Sequence, residues 1–402
     1  MQSVNSTPQG SAGSGSPGVR GYVLPLIVFS QFCGTSLWFA SNGVMGPLTA
    51  HFRLPETALG DLTASVQFGF ITGTLLFAFL TLADRFAPSR VFFLSAVLGS
   101  LANLGLVWED NSYLTLVLLR FATGFFLAGI YPVGMKIAAD YYNKGLGTSL
   151  GYLVGALVLG TAFPHLLSAG ILATSWEQVV VITSAMALAG GISILFLPDG
   201  PFRSRMQKLD FTAFLDVFRK REFRAPAFGY FGHMWELYAF WALVPAMLSA
   251  YTELHQGSDL SISLWSFLIL GVGGPACVLG GYLSRSLGPL KVAAASLLLS
   301  GSCCLVFPWA LHWGSATLFL LFMLFWGMVV IADSPLFSTL VAQNAAAEKK
   351  GTALTIVTCM GFAITIVSIE MLTRGLRLLD TPWIYSLLAA GPVLGLLALR
   401  KK

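Results

Sequence analysis

Residues 113–143 read YLTLVLLRFATGFFLAGIYPVGMKIAADYYN, and this stretch decides what kind of chain carries it. Most of it is apolar enough to sit in hydrocarbon, yet Arg120 lies seven residues inside. Gly124, Ala128 and Pro132 follow at steps of four, a slowly winding stripe where another helix backbone can approach closely. A cation at membrane depth costs about 2.5–3.5 kcal/mol on insertion scales, so it faces a bundle interior, a partner or a watery cavity. The stretch has an echo. Shifted by 203 residues, Gly124 becomes Gly327 and Pro132 becomes Pro335, inside LFWGMVVIADSPLFSTL. Arg120 has no counterpart, since Met323 takes its place, but the second copy carries its own acid, Asp333. Two related helices, each with one unlike charge, predict a two-fold repeated membrane protein with a polar centre.

Composition agrees. The chain is 56% hydrophobic and 10% charged, with a mean hydropathy of +0.77. Soluble domains carry about 25% charged residues, so this is a polytopic membrane protein. Apolar windows of about 20 residues predict twelve transmembrane helices. Residues 1–20 are Ser/Gly/Pro-rich and are expected to be a flexible cytoplasmic tail without the pattern of a signal peptide. The expected division is a six-helix half over 21–198, a cytoplasmic connector over 199–224 and a second six-helix half over 225–402. Within the connector, FTAFLDVFRKREFR (211–224) is amphipathic and is expected to lie along the membrane surface.

Lys and Arg set the topology. With the N-terminus inside, 19 of the 23 basic residues fall on inner segments, and only Arg53, Arg374 and Arg377 fall outside. Both termini are therefore expected in the cytoplasm. The net charge of +5 is a topology signal and excludes a nucleic-acid patch. Cys33, Cys277, Cys303, Cys304 and Cys359 all fall in apolar spans, so they read as small buried hydrophobes and not as a disulfide or metal framework. No cofactor is expected.

The offset recurs elsewhere. Trp38 in the first span matches Trp241 in the seventh at 203, and Gly147-Thr148-Ser149-Leu150 matches Gly351-Thr352-Ala353-Leu354 at 204. Leu82-Ala83-Asp84-Arg85 with Arg90 follows span two, and Gly281-Tyr282-Leu283-Ser284 with Arg285, Gly288 and Lys291 follows span eight, Lys291 lying 201 after Arg90. A nearly constant offset across four pairs of elements predicts a six-plus-six parallel duplication.

These residues resemble the major facilitator superfamily. ADRFAPSR (83–90) is similar to the family's loop motif between helices two and three, with Leu80 where its glycine usually stands. RFATGFFLAG (120–129) is similar to its helix-four motif, with Arg120 and Gly124 in register. Gly155, Gly160 and Pro164 loosely resemble the helix-five motif of proton-driven antiporters, but its Gly-Pro pair is absent, which counts against an antiporter. The resemblance implies two pseudo-symmetric six-helix halves around a central cavity lined by helices one, four, seven and ten. The halves rock to open that cavity to each side in turn. It also makes Asp84, Arg85 and Arg90 a conformational latch, where a capped turn with topology charges is the plainer reading.

Polar residues inside the spans supply the candidate site. Gln31, Thr35, Trp38 and Asn42 share one face of span one, a candidate cavity lining or a set of inter-helix hydrogen bonds. In span seven the corresponding stripe carries Tyr238 and Trp241, placed to stack on a substrate. Glu236 and His233, three apart near mid-membrane, are the candidates for carrying a coupling proton. At 100° per residue Glu236 points roughly 140–200° away from Trp241 and Tyr238, so it faces another helix and can equally be a structural pair. Arg120 is a candidate for an anionic substrate group, or a hydrogen-bond hub to the helix-one backbone. Asp333 joins the cavity set; His165 and Glu370 rank below it.

A secondary active transporter is the first expectation. It would move a small polar or anionic metabolite, coupled to protons by symport, as a monomer in a bacterial inner membrane. Proton-driven export of hydrophobic drugs is the alternative, given 31 Phe and 11 Met. A membrane-embedded enzyme lacks an HExxH, a His/Cys cluster at metal spacing and a nucleophile elbow. A receptor or channel explains neither the duplication nor the paired loop motifs.

Overall fold

Caps and prolines set the helix boundaries. The computed structural model describes residues 21–142, 146–171, 174–203, 218–255, 259–345, 350–379 and 381–400. The first span, α1, comes in three pieces, Val23–Thr35, Ala40–Gly43 and Met45–Phe52. Then come α2 (Ala58–Phe79), α3 (Pro88–Leu104), α4 (Tyr113–Leu127 continued by Tyr131–Tyr141), α5 (Leu146–Leu166) and α6 (Trp176–Ile194). The second set opens with α7 (Arg221–Leu254), α8 (Ile262–Gly271 continued by Gly273–Leu287) and α9 (Pro289–Ala310). It closes with α10 (Ala316–Val329 continued by Ser334–Asn344), α11 (Lys350–Leu379) and α12 (Pro382–Ala389 as a tight 3-10 stretch, then Ala390–Leu399). Among the described residues there is no strand, and ten helices are long and apolar enough to cross a membrane. The two others differ for physical reasons. α1 is broken, and α7 is buried along much of its length and carries polar residues that a lipid-facing helix could not.

Residues 1–20, and with them the expected tail, lie outside the described residues, as does the first half of the 211–224 stretch. Residues 221–224 already belong to α7, so the helix starts before the membrane-spanning part does. Two helix-end carbonyls are held by arginines. Arg221 Nη2 donates to the Arg400 carbonyl at 2.7 Å, and Arg203 Nη2 donates to the Phe86 carbonyl at 2.8 Å.

The repeat shows at the level of single contacts. Ser112 caps α4 by accepting from the Thr115 amide, and Ser315, 203 residues on, caps α10 by accepting from the Leu318 amide. A methyl placed on Gly124 would lie 2.0 Å from the Val66 carbonyl oxygen of α2. One placed on Gly327 would lie 2.0 Å from the Ile269 carbonyl oxygen of α8, again 203 residues on for both partners. Only glycine permits either crossing. Both α4 and α10 then break one turn before a proline, Pro132 and Pro335.

The halves meet along two seams, α2 with α11 and α5 with α8. The seams touch at equivalent points, for Gly155 packs on the Gly274 backbone while Cys359 reaches the Ile71 carbonyl at 4.0 Å. On the far face, where α2 begins and α11 ends, the two helices are joined by charge. Arg377 Nε lies 2.9 Å from Glu56, Arg374 Nε donates to Glu370 at 2.8 Å, and Arg374 Nη2 lies 3.9 Å from Asp61. Tyr113 donates to the same Asp61 carboxylate at 2.5 Å.

Candidate functional site

The break in α1 creates the first part of the site. Thr35 and Ser36 turn their hydroxyls back onto the Gln31 and Cys33 carbonyls, at 2.8 and 2.7 Å. Such back-bonding competes with the helix ladder and loosens it. Helical hydrogen bonding lapses after Thr35 and resumes at Ala40, which leaves the Trp38 carbonyl without an intrahelical partner and the Leu37 carbonyl with only a long 3.4 Å bond from the Ala40 amide. Arg120 supplies the donors. Its Nη1 donates to the Leu37 carbonyl at 3.1 Å and to Asn103 Oδ1 at 3.3 Å, and its Nη2 to the Trp38 carbonyl. Asn103 is itself fixed by donating to Ser184 Oγ at 2.9 Å. Nε is the one guanidinium nitrogen left over. The repeat carries Met323 where the first half has Arg120, and α7 runs on as one helix through the matching position. Pro245 has no N–H, so the Trp241 carbonyl loses its intrahelical donor there.

Glu236 on α7 is a buried charge of the second half, built the opposite way. Its carboxylate is 1% exposed and faces α9 and α10. Trp326 Nε1 donates to Oε1 at 2.7 Å, Cys304 Sγ to the same oxygen at 3.3 Å, and Ser300 Oγ to Oε2 at 2.8 Å. One turn earlier, His233 Nδ1 lies 2.8 Å from Asp333 Oδ1, both groups 1% exposed. Asp333 sits at the break of α10, where the helix restarts at Ser334. His233 therefore pairs with Asp333 and not with Glu236, and Arg120 and Asp333 do not meet.

Between the two charged centres lies an aromatic seam. Trp38 of α1 stacks on Phe362 of α11 at 5.5 Å and lies 4.8 Å from Phe70 of α2 and 5.8 Å from Tyr238 of α7. Tyr238 contacts Trp241 edge-on at 5.2 Å. These are favourable ring geometries. Several polar groups around this seam are fully buried without a partner. They include the indole nitrogens of Trp38 and Trp241, both amide atoms of Gln31 and of Gln67, and Asn42 Oδ1. Asn42 Nδ2 does donate to Thr63 at 2.9 Å. Gln31 packs on the α4 backbone, where a methyl on Gly134 would lie 2.1 Å from its Oε1.

The loop motif is placed differently. Asp84 lies 2.9 Å from Lys136 of α4, whose ammonium is also 3.7 Å from Asp140. Arg85 and Arg90 are exposed and carry no ion pair among the described residues. His165 is buried in α5, and Glu370 belongs to the far-face ion pairs. Sequence reasoning missed Asn103, Gln67, Phe70, Phe362, Ser300, Cys304 and Trp326. For Gln67 there was a signal, since Thr63, Gln67, Phe70 and Thr74 recur on one face of α2 at helical spacing. The rest become visible only when helices distant in sequence are brought together.

Two six-helix halves with a buried charge in each, joined over a polar and aromatic seam, define a membrane transport fold. The sequence profile of the Major Facilitator Superfamily matches residues 27–369, and the chain belongs to that family. Among solved structures it is similar to a bacterial homologue of the human lysosomal transporter Spinster, in an inward-facing and unoccupied conformation. The identity is 16%, 96% of each chain is covered, and the TM-score is 0.69. It is also similar to the nucleoside transporter NupG, at 13% identity over 94% of this chain and 98% of that one, with a TM-score of 0.71. At such identities the likeness is one of fold. No curated protein matches the sequence.

Proposed function

We propose that this chain is a secondary active transporter that carries a small polar solute by alternating access, driven by protons. The observation that carries the reading is Glu236, a carboxyl at mid-span of α7 held by three donors from two other helices. A buried carboxylate is stable only while its donors stay in place, and it takes up a proton when they move. Glu236 lies in the second half, one turn from the His233–Asp333 pair and on the helix that also carries Tyr238 and Trp241 of the seam. A rearrangement of α7 around a solute would disturb the carboxyl as well.

The same reading places both termini in the cytoplasm, from the basic inner segments, with the protein a monomer in a bacterial inner membrane. Asp84, with Arg85 and Arg90 beside it, is the latch, working through Lys136. The test is flux into proteoliposomes that hold the purified chain. Accumulation of solute against its gradient, abolished when an imposed pH gradient is collapsed, is the expected result. Solute movement unaffected by the gradient would remove proton coupling and leave a facilitator.

A further inference from the structure

The unpartnered polar atoms of the seam say what kind of solute the fold is built for. Indole nitrogens are donors only, and native interiors almost always give such groups a partner, whether protein, water or ligand. Here Trp38 and Trp241 are 1% and 0% exposed, and their N–H groups have no protein acceptor. Gln67, 0% exposed, has neither its donors nor its acceptor matched. These three residues come from α1, α7 and α2, so the unmatched groups straddle the junction of the two halves. The surfaces beside them are flat rings, with Phe362, Tyr238 and Phe70 all within 5.8 Å of Trp38 between centroids.

Charge at the same depth is already committed. Arg120 spends Nη1 and Nη2 on the Leu37 and Trp38 carbonyls and on Asn103. Glu236 accepts from Trp326, Ser300 and Cys304, and Asp333 Oδ1 lies 2.8 Å from His233 Nδ1. A solute entering the seam meets neutral donors, neutral amides and ring faces.

We infer that the transported solute is an uncharged ring compound, with a flat face that stacks in the Trp38–Tyr238–Phe362 seam and a rim of hydrogen-bond acceptors that take the Trp38 and Trp241 N–H groups. The inference rests on the transporter reading and narrows its substrate. A sugar ring and a heteroaromatic base both have this chemistry. Stacking on an aromatic platform favours such a solute over an aliphatic anion, which has no face to stack and finds only Nε of Arg120 unpaired.

Titration calorimetry of the full chain in nanodiscs tests this with three probes: glucose, uracil and succinate. One or both ring compounds should bind, succinate should not, and the responsive ring compound tells sugar from base. Replacing Trp38 or Trp241 by the benzothiophene analogue of tryptophan keeps the bicyclic ring and deletes only the N–H. Each should weaken binding about 3- to 10-fold, the value of one hydrogen bond. Thermal stability of either variant without ligand should not fall, because the deleted N–H has no bond to lose. Succinate binding alone, no binding by either ring compound, unchanged affinity in both variants, or a lowered ligand-free melting point would each overturn the inference. Flux driven by a pH gradient for some other solute would still uphold the transporter reading, so the two failures are distinguishable.

Discussion

Replacing Glu236 by Gln separates proton coupling from structure more cleanly than any other single change. The amide is isosteric. Its oxygen can accept from Trp326 at the 2.7 Å now spanned by Oε1, and its NH2 can donate to Ser300 Oγ. Ser300 can accept because its own hydroxyl hydrogen has a second acceptor in the Leu297 carbonyl, 3.2 Å away. Every donor in the cluster keeps a partner, so the loss is the difference between hydrogen bonds to a charged and to a neutral acceptor, about 1 kcal/mol. Glu236→Leu, in contrast, strands the Trp326 donor, at about 1–3 kcal/mol for a buried group left unpaired, while Ser300 keeps the Leu297 carbonyl.

Function responds differently. A pH gradient of one unit is worth about 1.4 kcal/mol, which is tenfold accumulation for each proton moved with the solute. Gln cannot carry that proton, so accumulation in Glu236→Gln proteoliposomes should fall to about the level reached without a gradient. Exchange of labelled for unlabelled solute needs no net proton movement and should survive. The assay is the ratio of the two fluxes, with a melting curve alongside. Full gradient-driven accumulation by the variant would remove Glu236 from the mechanism and make Asp333 the next candidate. Loss of both fluxes together with a lowered melting point would make the residue structural.

Other outcomes follow from the same contacts. His233→Asn should shift the pH dependence of transport without abolishing it, since the imidazole adjusts Asp333 at 2.8 Å; an unchanged pH profile would refute this. Asp84→Asn should slow transport while stability falls by less than about 1 kcal/mol, because the Lys136 pair is partly exposed; a badly destabilised variant would point to a capping role. Gly124→Ala and Gly327→Ala should each cost at least about 1–3 kcal/mol, since a methyl 2.0 Å from a backbone oxygen forces helices apart; melting curves decide it. A cysteine placed at Ser204 should react with membrane-impermeant reagent only from the cytoplasmic side. Labelling from outside would invert the topology.

The duplication was legible because it repeats backbone requirements. Glycine at 124 and 327, proline at 132 and 335, and serine caps at 112 and 315 each solve a local problem that both halves share. The site was legible only in part. Glu236 was marked by its charge, and its angle away from Trp241 was computable from helical geometry, but its donors come from α9 and α10. Nothing local singles out Ser300 or Cys304, and Cys304 reads as a small apolar filler until Glu236 is placed beside it. Arg120 raises the same difficulty. Its partners are main-chain carbonyls freed by a break between Thr35 and Ala40, a stretch without proline whose only cues are two hydroxyl residues, Thr35 and Ser36.

The paired touching points of the two seams also fix a lever. Gly155 on Gly274 and Cys359 on Ile71 are mid-depth contacts between small groups, the arrangement a fulcrum needs if one body is to tilt on another without prising side chains apart. From Ile71 to Gly60, near the far-face charges, the arm along α2 is about 16 Å at 1.5 Å per residue. Drawing Arg377 about 3 Å farther from Glu56 then takes a tilt of only about 10°. A ligature of charges at the end of so long an arm holds the closed posture with high mechanical advantage. Each pair is weak in isolation because it is exposed to water, which makes the same ligature quick to release.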